Sequence, residues 1–237
     1  MATARRTAPA VASKSVDPAC KSTGTAADFL PERLELPLLR AAAKGCRGCD
    51  LYCKGTQTVF GEGSADASVM FVGEQPGDQE DRAGRPFVGP AGRILDDALA
   101  EAGVPRDECY VTNAVKHFKW EPRGKRRIHS KPSAREINAC KPWLEAEIGV
   151  IKPQAIVCLG ATAAQDLLGR DFRLTQHRGE PITDTPWASW VLATVHPSSL
   201  LRMPDEASRE QAYAQFVDDM GLVAKQIKSH KRKRALA

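Results

Sequence analysis

Residues 68–100 read SVMFVGEQPGDQEDRAGRPFVGPAGRILDDALA, and the fold follows from this stretch. Ser68–Val72 is a short apolar run cut off by Gly73-Glu74-Gln75-Pro76-Gly77, which reads as a buried strand entering a loop. From about Gly89 to Ala102 the apolar positions recur at helical spacing. Outward from this unit the pattern repeats. Tyr110–Val115 reads as a second strand, and Ser133-Ala134-Arg135-Glu136 is a capping box that opens a helix running to about Gly149. Ala155–Leu159 is a third strand, Ala161–Leu168 a helix, Trp190–Val195 a fourth strand ending at His196-Pro197, and Asp205–Ile227 a long closing helix. On the N-terminal side, Glu32–Ala43 has helical spacing and stops at Lys44-Gly45, just before Cys46-Arg47-Gly48-Cys49. Strands alternating with helices predict an α/β protein: a three-layer α/β/α sandwich around a central, mainly parallel four-stranded sheet, with ligand chemistry at the carboxyl ends of the strands. Gly73–Asp78, Asn113, His117 and His196 fall at or just past those ends.

A chain of 237 residues with 42% hydrophobic content is long enough for one well-buried domain and short for two. The expected domain spans 29–228, with a low-complexity N-terminal tail over 1–28 read as disordered and a basic C-terminal tail over 229–237. Apolar runs reach nowhere near the length of a membrane span, so a cytoplasmic, membrane-free protein is expected. The net charge of +5 hides a division: residues 1–26 and 225–237 together carry +9, and the stretch between them carries −4. Within that body, Lys116–Lys131 (KHFKWEPRGKRRIHSK) holds seven basic residues against one acid. It reads as a basic loop, which is either a solvated turn or a surface for a phosphate backbone.

Seven cysteines, an odd number, point to metal or redox use more than to a disulfide framework. Cys46 and Cys49 form C-x-x-C, and Cys140 sits in the third helix region. Thiolates at that spacing suit an iron–sulfur cluster. On spacing alone they equally suit a zinc half-site, a redox pair or plain packing.

Four segments, GEQPGDQEDRAGRPFVGPAG (73–92), YVTNAVKHF (110–118), GKRRIH (124–129) and HPSSLLR (196–202), together resemble the iron–sulfur uracil-DNA glycosylases called family 4, and within them the UdgX type, to which the GKRRIH segment is specific. The resemblance covers most of 46–220. It implies excision of uracil from DNA, with single strands preferred because no unpairing is needed, by a monomer. The wider family has cysteine in an N-x-V-K-C segment where this chain has Asn113-Ala114-Val115-Lys116-His117. The implied ligands of a [4Fe-4S] cluster are therefore Cys46, Cys49, His117 and Cys140. Cys53 competes with His117, while Cys20, Cys109 and Cys158 read as tail or core thiols.

A base inside a duplex has to be flipped out before it is read. By resemblance Phe87 stacks on the uracil and Asn113 reads its edge, offering a donor to O4 and an acceptor to N3–H. The glycine-rich loop brings backbone N–H groups close, and Gln75, Gly77 and Asp78 line the pocket. His196 faces uracil O2 and stabilises the departing anion. In the UdgX type the histidine ending the KRRIH segment, here His129, attacks the sugar and stays bonded to it. Neutral imidazole is a competent nucleophile, and Glu74 suits its other ring nitrogen. Lys125, Arg126, Arg127, Ser198 and Arg202 are expected against DNA phosphates. Two rival readings stay open: hydrolytic turnover that releases a free abasic site, and a non-catalytic iron–sulfur DNA-binding module.

Overall fold

The computed structural model describes residues 20–235, so 1–19 and 236–237, the outer parts of the two tails, lie outside it. In chain order the elements are α1 (Leu36–Ala43), β1 (Val69–Gly73), α2 (Asp78–Ala83), α3 (Pro90–Glu101), β2 (Cys109–Asn113), β3 (Trp120–Arg123) and β4 (Arg126–His129). There follow α4 (Ala134–Ile151), β5 (Ala155–Leu159), α5 (Ala161–Leu168), α6 (Leu174–His177), β6 (Trp190–Thr194), α7 (Pro197–Leu200) and α8 (Glu206–Ala235).

Four strands form one parallel sheet in the order β2-β1-β5-β6. All five positions of each strand are buried, which is why the strands read as unbroken apolar runs: helices cover both faces. Alternate residues divide the core in two. Met70, Val72, Tyr110, Ile156, Cys158 and Val191 pack with α1, α4 and α5, whereas Val69, Phe71, Val111, Val157 and Leu192 pack with α3 and α8. The capping box of α4 forms as expected, Ser133 Oγ accepting from the Glu136 amide and the Glu136 carboxylate from the Ser133 amide at 2.6 Å. Among the described residues no helix is long and apolar enough to cross a membrane.

Five features depart from the sequence expectation. The basic segment is a hairpin: β3 and β4 pair antiparallel with Trp120 opposite His129, turning through Gly124 at φ +60°. A polar two-stranded ribbon outside the main sheet carries no alternating apolar signal. Its base is gripped by Gln75, whose Nε2 donates to the carbonyls of Lys119 and Ser130 and whose Oε1 accepts from the Lys119 amide. The six-residue α2 sits where only a loop was expected, because it is too short to show a helical period. The closing helix continues past Ile227, the last buried core position among the residues whose side chains are described, and its backbone goes on to Ala235. Residues 20–28, assigned to the tail by composition, instead pack on the body: Thr25 and Asp28 form a capping box, and Ala26 is fully buried. Finally, Cys20 is joined to Cys53 by a disulfide with a Cα–Cα distance of 6.0 Å. Neither is a free thiol, and Cys53 is withdrawn from competition with His117.

Candidate active site

The carboxyl ends of all four parallel strands contribute to one cleft of about 670 Å³, whose lining includes Glu74, Gln75, Gly77, Phe87, Asn113, His129, Thr162, His196, Ser198 and Arg202. Parallel register explains the convergence. Gly73 at the end of β1 lies beside Asn113 at the end of β2, and a Cβ on Gly73 would come within 2.4 Å of Asn113 Oδ1 and 2.8 Å of Phe87 Cζ. Glycine is required there so that the two side chains can close over the strand end. Phe87 itself holds φ +55°, a left-handed conformation that costs a bulky residue energy and is tolerated where the surroundings fix it. Those surroundings include Gly92, where a Cβ would overlap the Phe87 carbonyl. They also include Glu80, whose carboxylate accepts from the amides of Gly77 and Gly89 and ties the loop before α2 to the loop before α3.

His196 and Phe87 are roughly parallel, with ring centroids 6.2 Å apart. The tautomer of His196 follows from its neighbours. Its Nδ1 accepts from the Ser198 backbone amide at 3.2 Å, so the proton sits on Nε2 and that nitrogen is the donor. Burial pushes its pKa down to about 4; Glu74 opposes the shift, while Arg202 and His129 add to it. The imidazole is therefore neutral across the physiological range.

At the end of β4, His129 Nε2 lies 3.2 Å from Glu74 Oε1, with the histidine side chain half exposed and the glutamate one-fifth exposed. Burial raises the Glu74 pKa, but the hydrogen bonds of His129 and Thr162 and the charges of both cleft histidines outweigh it and hold the carboxyl below its ordinary value. The pair can thus act as a nucleophile with an anionic partner on its second nitrogen, or as a carboxylate that orients water.

The expected phosphate contacts separate into two groups. Lys125 and Arg126 lie exposed at the hairpin tip, and Arg202 and Ser198 line the cleft, Arg202 donating to Ser198 Oγ at 3.3 Å. Arg127 is turned inward. Its guanidinium bonds Asp78 at 2.5 Å and Asp81 at 2.6 Å, donates to Thr56 Oγ1, and lies over the rings of Phe118 and Trp120. Asp78, expected in the pocket lining, is engaged by Arg127 and Arg82 instead. The local excess of positive charge is therefore smaller than the sequence count, because three of the seven basic residues are paired with acids: Arg127 with Asp78 and Asp81, the buried Lys116 with Glu147, and Lys119 with Glu136.

Cys46, Cys49 and Cys140 are buried free thiols, close enough that negative charge on Cys46 and Cys49 disfavours ionisation of Cys140, and that on Cys46 disfavours Cys49. Burial is the larger cause, pushing Cys49 up to about 11 and Cys140 up as well. His117 is buried and neutral, its pKa lowered to about 4 by desolvation. Thr58 Oγ1 gives its only hydrogen to the Ala43 carbonyl and so accepts from His117 Nε2 at 2.9 Å, leaving the Nδ1 lone pair as the one able to bind metal. A hydrogen bond on the second nitrogen is the usual support of a ligating imidazole. Among the described residues no three His, Cys, Asp or Glu side chains converge as ligands of a single ion. The donor set suits a cluster, which binds soft thiolates and occasionally imidazole. Cys109 and Cys158, buried and pushed up to about 12 by desolvation, are core residues.

Three contributors were given no role in the sequence reading: Glu80, Asp81 and Thr162. The first two belong to the acidic run after the glycine loop, and Thr162 follows β5, the one strand end from which sequence reasoning took no residue.

The sequence pattern of the uracil DNA glycosylase superfamily matches residues 60–221. The chain is 40% identical over 168 residues to a type-4 uracil-DNA glycosylase of Thermotoga maritima, covering 70% of this chain and 83% of that one. It is 36% identical over 181 residues to a type-4 uracil-DNA glycosylase of Pyrobaculum aerophilum, covering 72% and 87%. To a type-5 uracil-DNA glycosylase of Thermus thermophilus it is 33% identical over 170 residues, covering 64% and 74%.

Proposed function

Because this chain belongs to the uracil-DNA glycosylase superfamily, we propose that it excises uracil from DNA and keeps the abasic sugar as a covalent adduct of His129. The observation that carries the covalent ending is the His129–Glu74 pair at the edge of the cleft that holds Phe87, Asn113 and His196. A flipped uracil stacks on Phe87 and pairs its O4 and N3–H with the Asn113 amide, a pattern that cytosine reverses. The Asn113 backbone is itself anchored, its carbonyl accepting from Lys116 Nζ at 2.7 Å. His196, protonated on Nε2, donates to O2 as negative charge develops on the leaving base. The His129 nitrogen not held by Glu74 then attacks C1′. Lys125, Arg126 and Arg202 track the phosphates of a single strand, which reaches the cleft without unpairing. The protein acts as a monomer in the cytoplasm.

Cys46, Cys49, Cys140 and His117 would hold a [4Fe-4S] cluster. When bound, such a cluster supplies structural cross-linking, because N-glycosidic cleavage moves no electrons. Iron analysis and visible absorbance test it, and zinc without iron would remove it.

Hydrolysis is the second reading, favoured by the exposure of His129 and by a carboxylate positioned to orient water. Incubation with a uracil-containing oligonucleotide followed by a denaturing gel separates the readings. A heat- and SDS-stable shifted band supports the adduct, an abasic product alone supports hydrolysis, and unchanged oligonucleotide supports a non-catalytic module. His129→Ser is expected to abolish the shifted band while leaving some excision; a crosslink that survives this substitution removes His129 as the nucleophile.

A further inference from the structure

We propose that Thr162 is a positioning residue for covalent capture: its hydroxyl fixes the Glu74 carboxylate so that the other oxygen of that group faces His129. Thr162 Oγ1 donates to Glu74 Oε2 at 2.5 Å, while Glu74 Oε1 is the oxygen 3.2 Å from His129 Nε2. The two contacts use different oxygens of one carboxylate, so the three side chains form a line from α5 through the loop after β1 to the hairpin. Thr162 is 6% exposed and sits in the first turn of α5, where the helix N-terminus also favours an anion.

The need for such an anchor is visible in the cleft. Glu74 shares it with three other hydrogen-bond donors, the cationic Lys131 and Arg202 and the neutral His196, each an alternative partner for a glutamate with three rotatable bonds. Burial alone does not choose between them. The threonine hydroxyl does, because a carboxylate held at one oxygen presents the other in a fixed direction, and His129 is where that direction leads.

This inference rests on the covalent reading. In that reaction the lone pair of the unprotonated His129 nitrogen forms the bond to C1′. The C1′–N1 bond breaks with its electron pair leaving on uracil, which takes a proton from solvent. The proton on the His129 nitrogen facing Glu74 passes through the carboxylate to solvent, leaving a neutral alkylated ring. A Glu74 that has swung toward Lys131 or Arg202 neither sets the tautomer nor receives that proton. Excision itself, which uses Phe87, Asn113 and His196, does not depend on it.

The test is single-turnover reaction of the full chain with a uracil-containing single-stranded oligonucleotide, reading adduct and free abasic product separately. Thr162→Val keeps the shape and removes the donor. It is expected to slow adduct formation by about tenfold or more, the scale of losing a hydrogen bond to a charged group, with uracil release changed less than about threefold and the balance appearing as free abasic sites. Thr162→Ser, which keeps the hydroxyl, is expected to restore adduct formation to near the wild-type rate. A Val variant that captures DNA at the wild-type rate overturns the proposal, and so does a parallel loss of adduct and uracil release in both variants, which marks a packing defect. Wild-type protein that releases uracil but forms no adduct sinks the covalent reading instead, and is told apart because it needs no variant.

Discussion

Replacing Arg127 by alanine tests whether the hairpin is held by an internal strut or by DNA. The guanidinium side chain is 14% exposed, Asp81 fully buried and Asp78 39% exposed. Removing one partner of a buried pair costs about 3–5 kcal/mol, because the other charge is left uncompensated. The more exposed Asp78 contact adds about 1 kcal/mol or less. Asp81 retains the Thr56 amide at 2.8 Å, which places the loss near the lower figure, about 3 kcal/mol. If it falls on docking of the hairpin, the productive placement of His129 weakens roughly 100-fold, and adduct formation slows accordingly. Uracil release falls less, since Phe87, Asn113 and His196 stand on other elements. If it falls on global stability instead, the same loss lowers Tm by about 6–12 °C for a domain of this size. In both cases the salt dependence of DNA binding keeps its slope, whereas Lys125→Ala or Arg126→Ala reduces the slope by about 1. Single-turnover gels, thermal denaturation and a salt titration make the measurement. An Arg127→Ala protein with unchanged Tm and adduct rate but a reduced salt slope would refute the strut and return Arg127 to the phosphates.

Gly73→Ala drives a Cβ into Asn113 Oδ1 and Phe87 Cζ. Overpacking of this kind costs about 1–3 kcal/mol, expected as a roughly 5- to 150-fold loss of uracil excision with the affinity for uracil-free DNA unchanged; wild-type excision would show that the pocket is looser than its geometry. For pH, the neutral His196 persists until the pH falls to about 4, so the acid limb contributed by this residue lies there and not near the ordinary histidine value of about 6.5. Single-turnover uracil release followed from pH 8 downward checks it, and a limb near 6.5 that vanishes in His196→Asn contradicts it. His117→Ala is expected to lose visible cluster absorbance and iron, read by absorbance and metal analysis independently of activity; full iron retention would exclude the imidazole from the ligand set.

By itself the sequence determined the parallel sheet and the order of elements. A strand buried on both faces must be continuously apolar, as VMFVG and AIVCL are, and a capping box announces a helix from four residues. It also fixed the candidates at strand ends, because glycine loops, Asn113 and His196 lie just where apolar runs stop. What it could not decide was how polar side chains are used. Arg127 and Arg126 are adjacent and chemically identical, yet one is exposed at the hairpin tip and the other closes a cage with Asp78 and Asp81, partners more than 45 residues away. Gln75 lines the cleft and also clamps both ends of a hairpin that the polar sequence did not signal, and Thr162 gains its part only through a carboxylate 88 residues distant. Hydrophobic burial leaves a periodic trace along the chain because it depends on which face a residue presents. Hydrogen bonds and ion pairs between remote segments leave none, since their partners are chosen only when the sheet brings the strand ends together.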